Sequence, residues 1–184
     1  MRLANKTLER LKEKSYMNAV RLLRDACLLF GKDSYATALA LAVLSQEEIG
    51  KLKMVDHICD DIILNGNRSH FTKHLFSRDM FYRHINKQAW ADEFGLDKFV
   101  PGRLEKTKQD ALYVDYGSGR VRHPSVNKKK SLRYIRHTLH LIADVGDLGF
   151  NGFECASTAA TRRRARKIVS ELSRHFADAT VKKP

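Results

Sequence analysis

The chain has 184 residues, with 34 Lys or Arg against 21 Asp or Glu, which gives a formal net charge of +13. This length suits one domain with a single core, and the charge favours a polyanionic partner such as RNA, DNA or an anionic membrane surface. The longest apolar run, residues 36–44, falls well short of the roughly 20 residues that span a bilayer, which excludes a membrane-spanning segment. Residues 1–14 lack the apolar stretch of a secretion signal, so we expect a cytoplasmic protein.

The cysteines form no recognisable ligand or disulfide pattern. Cys27, Cys59 and Cys155 are far apart, odd in number and free of any Cys-x-x-Cys pair. This spacing disfavours both a disulfide framework and a cysteine zinc site, and we expect buried free thiols.

Two helices are predicted at the start of the chain. In the first, apolar residues recur at alternating steps of four and three, and the helix ends near Gly31. These apolar residues are Tyr16, Val20, Leu23, Cys27 and Phe30. Asp33 or Ser34 can cap a second helix, which runs to about Leu64. Because the second helix is apolar nearly all round over residues 36–44, we expect it at the centre of the fold.

A third helix is predicted over residues 69–94, followed by a stretch that proline and glycine interrupt. The interruptions are Pro101, Gly102, Gly117, Gly119 and Pro124. The stretch is too long for a plain connection in a compact domain, and we interpret it as a functional loop insert. Alternating residues over 112–116 permit a short extended segment within it.

A fourth helix is predicted from Ser131 and a fifth over about residues 157–179. The fourth has apolar residues spaced to face a core, namely Leu132, Ile135, Leu139, Ile142 and Val145. In the fifth, the basic run Arg162–Lys167 points largely outward. The sequence therefore predicts one all-α domain over residues 1–184, an antiparallel bundle of four to five helices with a long loop insert, about 95–127, between the third and fourth.

The segment ALAVLSQEEIGK, residues 40–51, places a carboxylate on an apolar stripe. On a helix, Glu48 shares one side with Leu41 and Leu44, and a buried carboxylate needs a positive partner. Glu48 is interpreted either as a structural anchor for the third helix or as part of a site. Glu47 and Lys51, four residues apart, are expected to pair at the surface.

The segment SRDMFYRHINKQAW, residues 77–90, gathers the groups that RNA cleavage without a metal requires. A histidine can take the proton from the 2′-OH or give one to the leaving 5′-oxygen, and an arginine can stabilise charge on the phosphate. On a straight helix, Arg78 and His84 lie about 120° and about 9 Å apart. Both reach one phosphate only if the helix begins or bends between them, or if a second subunit completes the site. A solvated basic helix face explains the same residues.

The segment KQDALYVDY, residues 108–116, interleaves aromatic and charged groups. In a loop, such side chains can stack on bases and contact the nucleic-acid backbone. Packing of residues 112–114 over a helix end explains the same pattern.

Taken together and in this order, ALAVLSQEEIGK, FYRHINK and KQDALYVDY resemble the AbiV family of bacterial abortive-infection proteins, which belongs to the HEPN superfamily. The resemblance extends from about residue 16 to the fourth helix. It implies a HEPN-like bundle, a homodimer and a role in halting phage multiplication. Many HEPN proteins are endoribonucleases that use neither a metal nor a cofactor, and two subunits pool an Arg-x4–6-His motif in one cleft.

Arg78, Asp79 and His84 match that motif. The resemblance makes His84 the acid/base and Arg78 the phosphate clamp, with further RNA contacts expected from Arg83, Lys87, Lys108 and Tyr113. Glu48 and Lys51 match the family's EE-x-G-K block, with no chemistry assigned to them.

The preferred hypothesis is an antiphage endoribonuclease that cleaves RNA by 2′-OH attack. The alternative is a non-catalytic module that binds RNA or a phage or regulatory protein and arrests translation or phage development. A third hypothesis is a DNA-binding regulator that uses residues 162–167, although the sequence shows no helix-turn-helix signature.

Overall fold

A computed structural model of the chain describes residues 5–65, 103–113, 115–117, 120–122 and 124–147, and the separate positions 163, 167, 170, 171, 173 and 174. Helix α1 spans Asn5–Gly31 and α2 spans Tyr35–Asn65. Helix α3 spans Arg103–Leu112, and α4 spans Lys128–Asp147. Between α3 and α4, β1 (Asp115–Gly117) and β2 (Arg120–Arg122) pair antiparallel, with Tyr116 opposite Val121. Helices dominate this part of the chain, which confirms the predicted all-α class.

Local turn chemistry joins α1 to α2 where the sequence predicted it. Asp33 adopts a φ of 59°, in the left-handed region that Asp tolerates better than most residues. The Ser34 N–H donates to the Leu29 carbonyl at 3.0 Å, and the Ser34 hydroxyl donates to Thr37 Oγ1 at 3.3 Å. The chain thus leaves α1 and enters α2 within three residues, so the two helices pack side by side.

Helix α2 lies at the centre of the described part, as predicted. It packs against α1, α3 and α4, and its first half contributes a run of fully buried side chains. These are Ala38, Leu39, Ala40, Ala42 and Val43. Small residues predominate in this run, which allows neighbouring helices to approach closely. The apolar face predicted for α1 is also buried, with Cys27 partly buried at its edge.

The helix directions follow from contacts at both ends of α1. The Tyr16 hydroxyl donates to the Ile142 carbonyl at 3.2 Å, and the Lys128 ammonium lies 5.9 Å from the centre of the Phe30 ring. As residue numbers rise along α1 they fall along α4, so these two helices are antiparallel. Because α2 returns from the tight turn after α1, α2 and α4 run in the same direction.

The prediction of a loop throughout the insert, residues 95–127, is wrong in part, because residues 103–112 form helix α3. The cause is the composition of its buried face. Glu105, Thr107, Lys108 and Ala111 are the side chains of α3 that are buried, so hydrophobic periodicity does not reveal the helix. The extended segment permitted over residues 112–116 is correct only for Asp115 and Tyr116, which belong to β1, because Leu112 is the last residue of α3.

Helix α4 begins three residues before the predicted Ser131, because Asn127 caps it. The Asn127 side-chain oxygen accepts a hydrogen bond from the Lys130 N–H at 2.8 Å. Ile135 and Ile142 are buried as expected. The predicted third helix, residues 69–94, lies outside the described residues. The separate positions described after residue 160 are helical and exposed, Arg163 and Lys167 among them. Within the described ranges, no helix has the length and apolar character needed to cross a membrane.

Candidate functional site

The predicted catalytic residues lie outside the part of the chain that the structure describes. They are Arg78, Asp79 and His84, and the predicted RNA contacts Arg83 and Lys87 lie outside that part as well. Their predicted roles therefore stay predictions. The described residues bear instead on the other two sequence blocks, residues 40–51 and 108–116.

Three consecutive side chains of α2 each bond to a different neighbouring helix. Successive residues on an α-helix point about 100° apart, so three consecutive side chains of a central helix can contact three different neighbouring helices. Ser45 forms a hydrogen bond with α1, Gln46 with α4, and Glu47 with α3. The consecutive polar residues Ser45, Gln46 and Glu47 of α2 therefore link the described helices to one another.

Ser45 and Gln46 make neutral hydrogen bonds in this arrangement. The Ser45 hydroxyl donates to the Ala19 carbonyl at 2.7 Å. The Gln46 amide nitrogen donates to Thr138 Oγ1 at 2.9 Å, and Thr138 in turn donates to the Tyr134 carbonyl at 2.8 Å. All three polar side chains are buried. Their hydrogen bonds offset the cost of removing these groups from water, and they fix the register of α2 against its neighbours.

Glu47 makes a charged contact with α3. The Lys108 ammonium lies 2.7 Å from Glu47 Oε1 and 2.7 Å from Glu105 Oε2, and the three side chains are only 4–7% exposed. Gln109 donates from its amide to the other Glu105 oxygen. We call Glu47, Glu105, Lys108 and Gln109 the α2–α3 ion cluster. It binds a short, largely polar helix to the centre of the bundle.

Partner charges dominate the titration of the cluster. Burial alone would raise the pKa of Glu105, but hydrogen bonds from Lys108 and Gln109 outweigh it and hold the pKa below its ordinary value. Burial alone would lower the pKa of Lys108, but Glu47 and Glu105 outweigh it and raise the pKa. Both shifts move these groups away from neutrality. Since a general acid or base works best with a pKa near the working pH, Glu105 and Lys108 are suited to holding α3 in place rather than to proton transfer.

The expected pairing of Glu47 with Lys51 at the surface was wrong. Glu48 was expected to be the buried carboxylate, with Glu47 paired to Lys51 at the surface. Instead Glu47 is buried, and Glu48 is partly exposed and forms an ion pair with Lys51. The reason is α3, which the sequence did not reveal. Burial on α2 extends to the side facing α3, where Ala40, Val43 and Glu47 follow one another at helical spacing.

Lys108 and Tyr113 differ in accessibility, although both were expected to contact RNA. The Lys108 ammonium lies inside the α2–α3 ion cluster, which corrects the expectation that it projects from a loop. Tyr113 follows the last residue of α3 and is 60% exposed. Its ring is therefore open to a base or to a partner, and its RNA contact stays a prediction.

The two sequence blocks form one structural unit. Glu47 belongs to ALAVLSQEEIGK and Lys108 to KQDALYVDY, and the ion pair joins them across 61 residues. Glu105, which sequence reasoning missed, lies just before the second block. Its i, i+3 spacing to Lys108 was the signal available for a helix there.

The family comparison agrees with this structural unit. The model of the AbiV family, a HEPN family, matches residues 7–139. The match begins within α1, includes α2, α3, β1 and β2, and ends within α4. Comparison with curated proteins found no significant match, and comparison with solved structures found none either. Because the matched range covers well over half of the sequence, the chain belongs to the AbiV family of HEPN proteins.

Proposed function

We propose that this chain is an antiphage abortive-infection protein that acts as a metal-independent endoribonuclease. The observation that carries the proposal is the sequence Arg78-Asp79 with His84 six residues after the arginine, inside the range that the AbiV model matches. The net charge of +13 favours approach to RNA, because a basic protein attracts a polyanion over several ångströms of solvent.

The proposed reaction needs one base, one acid and one cation. His84 takes the proton from a ribose 2′-OH, and the 2′-oxygen attacks the adjacent phosphorus while the bond to the 5′-oxygen breaks. The leaving 5′-oxygen receives the proton that His84 has accepted, which yields one fragment with a 2′,3′-cyclic phosphate and another with a 5′-OH. Arg78 stabilises the charge on the phosphate oxygens, and Asp79 orients a neighbouring side chain.

Two chains are proposed to share the site. A homodimer removes the geometric conflict between Arg78 and His84, because the arginine of one chain works with the histidine of the other. Arg83, Lys87 and Tyr113 are proposed as RNA contacts around that cleft. A phage or regulatory protein is the proposed source of control over activity.

The α2–α3 ion cluster has a scaffold role in this proposal. Its Glu105 and Lys108 have pKa values shifted away from neutrality, so the acid/base chemistry is assigned to His84 instead. The cluster and the hydrogen bonds of Ser45 and Gln46 join α2 to α1, α3 and α4.

The test is incubation of the purified protein with total bacterial RNA in buffer containing a chelator. We expect RNA fragments with 2′,3′-cyclic phosphate ends. Salt-sensitive RNA binding without any cleavage product would support the alternative, a binding module that arrests translation or phage development, and would overturn the catalytic proposal.

A further inference from the structure

The exposed face of α4 carries a line of basic residues. Lys129, Arg133, Arg136 and His140 follow one another at steps of four, three and four, and all four are exposed. On a helix with 3.6 residues per turn, these steps keep the four side chains within about 60° of one another. We call these four residues the α4 basic stripe.

The opposite face of α4 holds the stripe in a fixed position. Ile135, Thr138 and Ile142 are buried against α1 and α2. Thr138 also bonds to Gln46, and the Ile142 carbonyl accepts the Tyr16 hydroxyl. The stripe is therefore presented on a rigid element rather than on a loop, and its direction relative to the bundle is set by the core.

The stripe lowers the intrinsic stability of its own helix. Residues 128–140 contain five Lys or Arg and no Asp or Glu, as the printed sequence KKKSLRYIRHTLH shows. Like charges three or four residues apart each cost a few tenths of a kcal/mol. Lys128, Lys129 and Lys130 also occupy the first turn, where the helix dipole disfavours cations. A polyanion bound along α4 would relieve both costs.

The mixed charges of α1 show that exposure alone does not explain the stripe. α1 also exposes basic residues, but acids alternate with them, and Arg21 pairs with Asp25 at 3.3 Å. The exposed basic residues of α1 include Arg10, Lys14 and Arg24. The interspersed acids are Glu9, Glu13 and Asp25. A solvated helix face of this protein therefore has charges of both signs, and residues 128–140 depart from that composition.

The length of the stripe matches several phosphates of one strand. Lys129 and His140 are 11 residues apart, which corresponds to about 16 Å along the helix axis. One strand of a duplex advances about 3.4 Å per phosphate, so the stripe spans about four or five phosphates. Arginine suits such contacts because its planar guanidinium can donate two parallel hydrogen bonds to one phosphate.

We propose that the α4 basic stripe binds the phosphate backbone of RNA, independently of base sequence, and so holds the RNA that the protein acts on. The choice of RNA rests on the proposed function, whereas the choice of phosphate rests on the stripe itself. Backbone contacts of this kind position a nucleic acid and supply affinity, and they read no sequence.

The test compares two triple variants with the same loss of charge, both in a His84→Ala background so that the RNA stays intact. The stripe variant is Lys129→Gln, Arg133→Gln and Arg136→Gln. The matched control is Arg10→Gln, Lys14→Gln and Arg24→Gln on α1. Binding of a fluorescent single-stranded RNA is measured by anisotropy over a series of salt concentrations, with single-stranded DNA of the same sequence as a second probe.

We expect the stripe variant to bind the RNA at least about 10-fold more weakly at low salt, and to lower the slope of log affinity against log salt by about 2, near 0.7 per lost phosphate contact. The α1 control should lower this slope by no more than about half as much as the stripe variant does. Equal weakening by both triple variants, or none by the stripe variant, would overturn the proposal. A stripe variant that loses DNA binding but keeps RNA binding would also overturn it.

The outcomes separate this proposal from the proposed cleavage. Stripe-dependent RNA binding by a protein that never cuts RNA supports the stripe and overturns only the catalytic proposal. RNA cleavage with unchanged binding by the stripe variant overturns only the stripe. The side chains are exposed, so we expect both triple variants to fold, and circular dichroism checks this. Should the stripe variant unfold, Lys129→Gln and Arg136→Gln are measured singly, each with an expected slope change of about 0.7.

Discussion

Lys108 Nζ on α3 lies 2.7 Å from Glu47 Oε1 on α2, and both side chains are at most 5% exposed. Lys108 also lies 2.7 Å from Glu105. One ammonium group therefore forms ion pairs with two buried carboxylates. The loss of each member has a different consequence, because removing the cation leaves two carboxylates close together, whereas removing Glu47 leaves Lys108 paired with Glu105.

Lys108→Met should be the most destabilising single change in the cluster. It leaves Glu47 and Glu105 facing each other without the ammonium between them, and breaking a buried pair in this way costs about 3–5 kcal/mol. Urea unfolding followed by circular dichroism measures the loss. A Lys108→Met protein as stable as the parent would contradict the buried ion cluster.

Adding Glu47→Gln to Lys108→Met should restore part of the lost stability. One of the two facing carboxylates becomes neutral, so the double variant is expected to unfold at a higher urea concentration than Lys108→Met alone. The double-mutant cycle gives the coupling energy between the two positions. Additive losses from the two changes would show that the side chains do not interact.

Glu47→Gln and Glu48→Gln should differ although the positions are adjacent. Glu47→Gln removes a buried charge-assisted hydrogen bond, with an expected loss of about 1.5–3 kcal/mol. Glu48 is less buried than Glu47 and pairs with Lys51 one turn away, so Glu48→Gln should cost less than Glu47→Gln. The reverse order of the two unfolding free energies would restore the sequence-based expectation that Glu48 is the buried carboxylate.

The stability should fall at both extremes of pH. The pKa of Glu105 is lowered in the folded state, so its contribution is present above its unfolded pKa, near 4.3, and is lost as the pH falls through the folded value. The pKa of Lys108 is raised, so its contribution is full below about pH 10.4 and is lost above the folded value. Between about pH 5 and pH 10, the ionisation of Glu105 and Lys108 should change the urea midpoint of unfolding little. Glu105→Gln should flatten the acid limb relative to the parent.

Cys27 should react slowly with thiol reagents while the protein is folded. Burial raises the pKa of its thiol to about 12, so little thiolate is present at pH 8. Mass spectrometry after brief treatment with iodoacetamide should find Cys27 largely unmodified in the native protein and modified in urea. Rapid native labelling would contradict its burial.

Local chemistry made part of the fold predictable from the sequence. Gly31, Asp33 and Ser34 mark the α1–α2 turn through their backbone and capping preferences, and the turn lies where they place it. The inward face of α4 was predictable for the same reason, since Ile135 and Ile142 keep helical spacing. Such signals depend on neighbours in the sequence alone.

The buried polar contacts were not predictable, because they depend on pairs distant in the sequence. Glu47 and Glu48 are of the same type and adjacent in α2, and the location of α3 explains why Glu47 is the more buried of the two. Hydrophobic periodicity does not reveal α3, because the charged residues Glu105 and Lys108 lie on its buried face. Sequence patterns predict that a charged residue is exposed to solvent, unless the residue that pairs with it is known.

The proposed role of His84 in RNA cleavage is tested most directly by the cleavage rate of the His84→Ala variant. The rate is measured on an end-labelled RNA in chelator, with protein whose melting temperature equals that of the parent. We predict a rate about 10²–10⁴-fold lower, with 2′,3′-cyclic phosphate ends from the parent alone. Cleavage by His84→Ala at the parental rate would contradict the account.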